Sequence, residues 1–271
     1  VADQKSLRQG DVGDRPMNTF VRPLANRPDA ETRLFCFPYA GGGISTFRDW
    51  STGLPENIEP WAIQLPGRED RVATPALDRM GDVINALVPA VIPQLDRPFA
   101  FFGHSMMGAV VAWELARALQ QLEAGSPVEV FVSGCVPPQV REAVDPPLHS
   151  RDRDDLVRTL RSWRATPEAV LDDPELMDLV LPVMRADLAV VETYRFTEAP
   201  QLLCPVTAFG GNEDEAVGRA PLLRWRELTL GEFDLKMFPG DHFFLHSARQ
   251  AVLDEIATRL NSRAVHRSHT R

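Results

Sequence analysis

The sequence predicts an α/β fold: a mostly parallel central sheet flanked by helices, with a helical lid inserted between two strands. Three observations carry this. Short apolar runs alternate along the chain with amphipathic ones, the pattern left by buried strands and the helices that cover them. One long stretch, about 136–201, breaks the alternation and holds helical patterns only. The composition is globular, with 44% hydrophobic and 25% charged residues among 271, enough apolar material for a single buried sheet.

The first thirty residues read as a partly flexible extension, since residues 1–20 are polar and charged and lack the apolar core of a signal peptide. The folded domain is expected over 31–261, and the polar, basic end, 262–271, as a flexible tail that frays. Strands are expected at 34–37, 61–65, 99–102, 128–133, 206–209 and 233–238. Met80, Val83, Ile84, Leu87, Val88, Val91, Ile92 and Leu95 recur at three and four and share one helical face. Pro89 and Pro93 predict a kink or an early end there. Further helices are expected over 110–122 and over 248–260, the latter with a capping box from Ser247 and Gln250. The lid carries one helical pattern through Leu156, Leu160 and Trp163, and another through Leu176, Leu179, Val180, Val183, Met184, Leu188 and Val191. Lying between two strands, it is placed to cover the strand ends where such sheets bind ligands.

The formal net charge of −9 argues against non-specific nucleic-acid binding. No run approaches the roughly 20 apolar residues of a membrane span. Cys36, Cys135 and Cys204 are odd in number, far apart and set in apolar surroundings, which predicts small buried thiols in a reduced, cytoplasmic protein. No metal-ligand spacing is present.

The chemistry concentrates at three strand ends. Phe99-Ala-Phe-Phe-Gly-His-Ser105 is a strand running into a serine and then directly into a helix. A hydroxyl is a weak nucleophile; it needs a turn sharp enough to expose it, a base, and amide donors for the developing oxyanion. Gly210-Gly-Asn-Glu-Asp214 follows the strand at 206–209, and Pro239-Gly-Asp-His242 follows that at 233–238. Serine, acid and histidine in this chain order, each beyond a strand end, is the order of the α/β-hydrolase fold. Ser105 is therefore expected as nucleophile, His242 as base and Asp214 as the acid that orients it. His104 lies inside the turn, His149 in the lid, His246 near the last helix, and His266 and His269 in the tail. Asp241, adjacent to His242, is expected to point away from it. In Phe37-Pro-Tyr-Ala-Gly-Gly-Gly43, directly after the first strand, backbone can approach a bound group closely. The amides of Ala40 and Met106 are the expected oxyanion donors. A phosphate-binding reading of these glycines fails because the P-loop lysine is missing.

Together, Phe37-Pro-Tyr-Ala-Gly-Gly, Leu65-Pro-Gly-Arg68, Gly103-His-Ser-Met, Glu192-Thr-Tyr-Arg195, Gly210-Gly-Asn-Glu-Asp214 and Phe238-Pro-Gly-Asp-His-Phe-Phe-Leu245 resemble the type II thioesterases that accompany modular polyketide and non-ribosomal peptide synthases. The resemblance spans about 34–260. It implies an α/β-hydrolase fold with a mobile helical lid, and an editing enzyme that hydrolyses acyl groups from the phosphopantetheine arm of acyl or peptidyl carrier proteins. It also implies no metal and no cofactor. A monomer is expected. Tyr39 in the glycine loop and Leu179, Met184 and Tyr194 in the lid are expected to contact the acyl substrate. Arg158, Arg161 and Arg164, recurring every three residues, with Arg68 and Arg71, are the candidate docking patch for an acidic carrier protein.

Two departures stand out. Asp241 occupies a position where the family has glycine; it either raises the basicity of His242 or faces water. Gly103-His-Ser-Met-Met-Gly108 has one methionine more than the family pattern, which puts Met107 where a small residue is expected and predicts a clash. Three readings stay open: a helix that starts one residue late, an inactive site, or one methionine counted twice in the sequence. Two other functions also stay open, an esterase or acyltransferase acting on soluble acyl groups, and a non-enzymatic binding protein of the same fold.

Overall fold

The computed structural model describes residues 20–163, 166–198 and 200–268. Seven strands form one sheet in the order β1-β3-β2-β4-β5-β6-β7: β1 Val21–Pro23, β2 Thr32–Phe37, β3 Ile58–Ile63, β4 Phe99–His104, β5 Val130–Ser133, β6 Val206–Gly211 and β7 Phe233–Phe238. β2 to β7 run parallel, and β1 closes one edge antiparallel to β3. β1 lies in the segment read from sequence as an extension. β3 begins at Ile58, three residues before its predicted start. Its polar residue is responsible: Glu59 is buried, bound to Arg33 at 2.9 Å, and so reads as loop in a hydropathy pattern.

The helices are α1 Trp50–Gly53, α2 Met80–Val91, α3 Ser105–Gln121, α4 Arg153–Trp163, α5 Glu168–Leu171, α6 Pro174–Glu192, α7 Arg219–Leu222, α8 Phe244–Ser247 and α9 Arg249–Ser268. α2 runs through Pro89, ends at Val91 and tightens into a 3₁₀ turn, Ile92–Gln94, that takes up Pro93. Its predicted face is buried at Met80, Val83, Leu87 and Val91, whereas Ile92 is exposed. α9 continues to Ser268, through most of the segment predicted to fray. The predicted capping box is replaced: Gln250 turns its amide to the Gly53 carbonyl and to Asp254.

One core packs α2, α3 and the Phe35–Phe37–Phe99–Phe101 cluster on one face of the sheet. The other packs α9 against Phe47, Trp50, Phe102, Phe131 and Phe209. Each fully buried phenylalanine contributes roughly 1.5–3 kcal/mol of transfer free energy, so the sheet is a rigid base for its loops. The lid has its own small core of Leu156, Leu160, Leu171, Met177, Leu181, Met184 and Leu188. The chain leaves β2 for β3 on one side and returns to β4 on the other. The loops after β2 and β4 therefore part at a topological switch point, where α/β sheets form a crevice.

Candidate active site

Ser105 stands at the junction of β4 and α3 with φ +57°, a left-handed conformation that costs a non-glycine residue about 1 kcal/mol or more. The turn is sharp because backbones touch behind it. A Cβ on Gly108 would lie 2.3 Å from the Phe37 carbonyl oxygen, so only glycine fits. The clash expected at Met107 does not arise: α3 starts at Ser105 without delay, Met107 is buried in the core, and Gly108 takes the crowded place.

His242 and Asp214 arrive from the ends of β7 and β6. The Nε2 of His242 is 3.0 Å from the Ser105 hydroxyl, and its Nδ1 is 2.7 Å from Asp214 Oδ2. The second oxygen of Asp214 accepts the Ala216 and Val217 amides at 2.9 and 3.0 Å, and its side chain is 1% exposed. A carboxylate fixed in this way accepts a hydrogen bond from Nδ1–H and leaves Nε2 free to accept from the serine. Asp241 instead accepts the Phe243 amide at 2.9 Å, closing its own turn.

His104 is buried below this group, its Nδ1 2.9 Å from the Ser133 hydroxyl and its ring 5.3 Å from that of His242. Burial, reinforced by His242 and His246, holds it well below the usual histidine pKa, so it is neutral. His149 is tied to Glu192 at 2.6 Å, and His246 faces the Tyr39 hydroxyl at 3.3 Å; His266 belongs to the C-terminal turns of α9, and His269 lies outside the described residues.

A cavity of about 720 Å³ opens over Ser105 and His242, with Tyr39, Ala40, Met106, Met184, Leu188 and Val191 among its walls. The Met106 amide is in the first turn of α3, where N–H groups have no intrahelical acceptor. Cys135 lines the same cavity, but burial pushes its thiol up to about 12, so it does not compete as a nucleophile.

Two residues predicted to contact substrate lie elsewhere. Leu179 is 57% exposed on the outer face of α6. The reason is that α6 is apolar on several faces, and the stripe Met184, Leu188 and Val191 is the one turned to the cavity. Tyr194 packs behind the site, where its hydroxyl donates to Glu114. The predicted docking arginines are not a free basic patch either. Arg158 pairs with Asp155 at 3.0 Å, and Arg161 binds Glu168 and Asp172, both at 2.8 Å, joining α4 to α5. Arg164 lies outside the described residues. Arg71 stacks on Phe20 and donates to the Gln64 carbonyl, and Arg68 is buried against Asp187. Asp187, missed in the sequence, is an acidic residue on a helix whose register marks it as buried: it falls between Met184 and Leu188.

Among the described residues no cluster of histidine, cysteine or acidic side chains could hold a metal, and no helix is long and apolar enough to cross a membrane.

The thioesterase-domain family matches residues 32–260. The gramicidin S biosynthesis protein GrsT of Aneurinibacillus migulanus is 42% identical over 85% of this chain and 90% of its own length. Thioesterase PikA5 of Streptomyces venezuelae is 35% identical over 91% and 89%. The solved structure of the type II thioesterase BorB from the borrelidin biosynthetic cluster superposes with a TM-score of 0.82 at 34% identity, covering 89% of this chain and 98% of that one. A serine, histidine and aspartate linked at the ends of three parallel strands, in a chain this similar along nearly its whole folded length, is a type II thioesterase of the α/β-hydrolase fold and a member of the thioesterase family.

Proposed function

We propose that the protein is an editing thioesterase that hydrolyses acyl groups from the phosphopantetheine arm of acyl or peptidyl carrier proteins, with Ser105 as nucleophile, His242 as general base and acid, and Asp214 as the orienting carboxylate. The observation that carries this is the Ser105–His242–Asp214 hydrogen-bond chain, 3.0 and 2.7 Å, at the floor of a cavity with an apolar wall.

Ser105 Oγ attacks the thioester carbonyl while His242 Nε2 takes its proton. The carbonyl electrons move onto oxygen, where the amides of Ala40 and Met106 donate to the oxyanion. Collapse breaks the C–S bond, and the departing sulfur receives the proton from His242. Water then attacks the acyl-enzyme by the same route, His242 returns the proton to Ser105, and the free acid leaves. Asp214 remains ionised and stabilises the imidazolium. Met184, Leu188 and Val191 bury the acyl chain, each methylene contributing about 0.8 kcal/mol. The three free, buried cysteines fit a reducing cytoplasm, and the chain acts as a monomer.

The test is a panel of acyl groups on a holo-carrier protein beside the same acyl groups as small soluble esters. Preferential turnover of the carrier-bound thioesters is expected. Faster turnover of the small esters would replace this reading by that of a free-standing esterase.

A further inference from the structure

The oxyanion loop is not held by the sheet alone. The turn from Tyr39 to Gly42 is closed by the Gly42 amide on the Tyr39 carbonyl at 2.9 Å, and Gly41, its third residue, has φ +76°. That is the type II turn, which differs from type I by a flip of the central peptide. The N–H of that central peptide, Gly41 N, donates to Asp187 Oδ2 at 2.7 Å. Asp187 belongs to α6 and is fully buried. Its two oxygens also receive both terminal nitrogens of Arg68, at 2.7 and 2.8 Å, and Arg68 in turn donates to the Gly42 carbonyl at 3.1 Å. The remaining guanidinium donors reach the Pro66 carbonyl. One turn earlier on α6, Met184 presses on the same glycine, since a Cβ on Gly41 would lie 2.7 Å from its terminal methyl.

From this we propose that Asp187 is a positioning residue for the oxyanion hole: with Arg68 it fixes the peptide plane next to the Ala40 amide, so that the donor points at the reacting carbonyl only while α6 is docked. A buried, fully hydrogen-bonded ion pair adds little net stability over an apolar pair of similar size. Here its geometry selects one turn over another. The inference rests on the reading of Ala40 as an oxyanion donor. Met184, Asp187, Leu188 and Val191 fall three and four apart on one face of α6, so the same helix face holds the acyl chain and the turn.

Two ligands separate the possibilities. An alkyl trifluoromethyl ketone is attacked by Ser105: the O–C bond forms, the serine proton goes to His242, and the carbonyl electrons become an oxyanion. The pantetheine alkyl thioether of the same chain length has no carbonyl and reports ground-state binding only. In Asp187→Asn and in the double variant Arg68→Met/Asp187→Leu, which removes both charges, the ketone is expected to bind roughly 10²-fold more weakly with thioether affinity unchanged, and kcat to fall without a rise in KM. Circular dichroism melting identifies which variants fold. Ketone affinity retained in a folded variant, or parallel loss of both ligands, overturns the proposal. Should neither variant fold, Arg68→Lys, which keeps the charge but gives up the two-point contact with Asp187, must lower the ketone-to-thioether affinity ratio; an unchanged ratio overturns it. If the wild-type enzyme itself shows no preference for the ketone, the oxyanion reading fails, and the proposal with it.

Discussion

Gly103 and Gly108 meet across the elbow so closely that a methyl group on Gly103 would stand 2.1 Å from the Gly108 carbonyl oxygen. The contact is backbone on backbone, so neither side can yield. Gly103→Ala, which drives a Cβ into the Gly108 carbonyl, and Gly108→Ala, which drives one into the Phe37 carbonyl, are each expected to destabilise the fold by at least about 3 kcal/mol, read as a drop in the urea midpoint. Met107→Ala, a buried truncation, is expected to cost about 2–4 kcal/mol. Peptide sequencing of active protein across residues 101–117 is expected to find both methionines. Tolerance of Gly108→Ala would place the elbow contact at a different residue.

Ser105→Ala is expected to lower kcat for thioester hydrolysis by roughly 10⁶-fold and Asp214→Asn by about 10⁴-fold. The difference follows from geometry. Without the serine no acyl-enzyme forms, whereas the asparagine only loses the charge and the tautomer that Asp214 imposes on His242. Single-turnover assays with serine phosphonate labelling distinguish the two.

Chain-length preference is expected to respond to Met184→Ala and Leu188→Ala and not to Leu179→Ala. The first two line the cavity and the third faces solvent. Relative kcat/KM for short and long acyl thioesters is the measurement; a shift with Leu179→Ala alone would move the acyl channel to the outside of α6.

Stability is expected to fall with pH below about 6.5, the unfolded histidine value. Burial depresses the folded-state pKa of His104, and His246 is shifted the same way by burial and Arg249. In the window between the folded and unfolded values the unfolded chain binds more protons, so the stabilisation is complete above it and lost as pH falls through it, at up to about 1.4 kcal/mol per pH unit per group. Melting curves of wild type and His104→Asn between pH 7.5 and pH 5 are expected to converge at the acid end. Parallel curves would mean that His104 is protonated without cost.

Arg158→Glu and Arg161→Glu are expected to change KM for a carrier-bound thioester and for a small thioester by the same factor, because both arginines are engaged by lid carboxylates. A selective rise in KM for the carrier substrate would restore a docking role.

The strand ends were the legible part of this chain. A serine, an acid and a histidine each follow an apolar run that can only be a buried strand, and the hydrogen bonds among Ser105, His242 and Asp214 join them as the order predicts. Local pattern failed where a polar side chain is buried by a partner distant in sequence. Glu59 hid the start of β3 behind its pairing with Arg33, and of Asp187 and Arg68, 119 positions apart, the first passed unnoticed and the second read as part of a docking patch. Periodicity also could not rank the faces of α6, where Leu179 and Met184 are equally apolar. Only the position of the sheet beneath the helix decides between them.

The two edges of the sheet set how the protein behaves when concentrated. At one end β1 is three residues long and finishes in Pro23, which has no N–H to offer. At the other, β7 carries Asp234 and Lys236, both engaged by α9 through Arg259 and Glu255. A short, proline-ended strand and a charged one are poor templates for another chain. Among the described residues neither edge invites cross-β growth, so crowding is expected to leave the folded protein dispersed rather than polymerised.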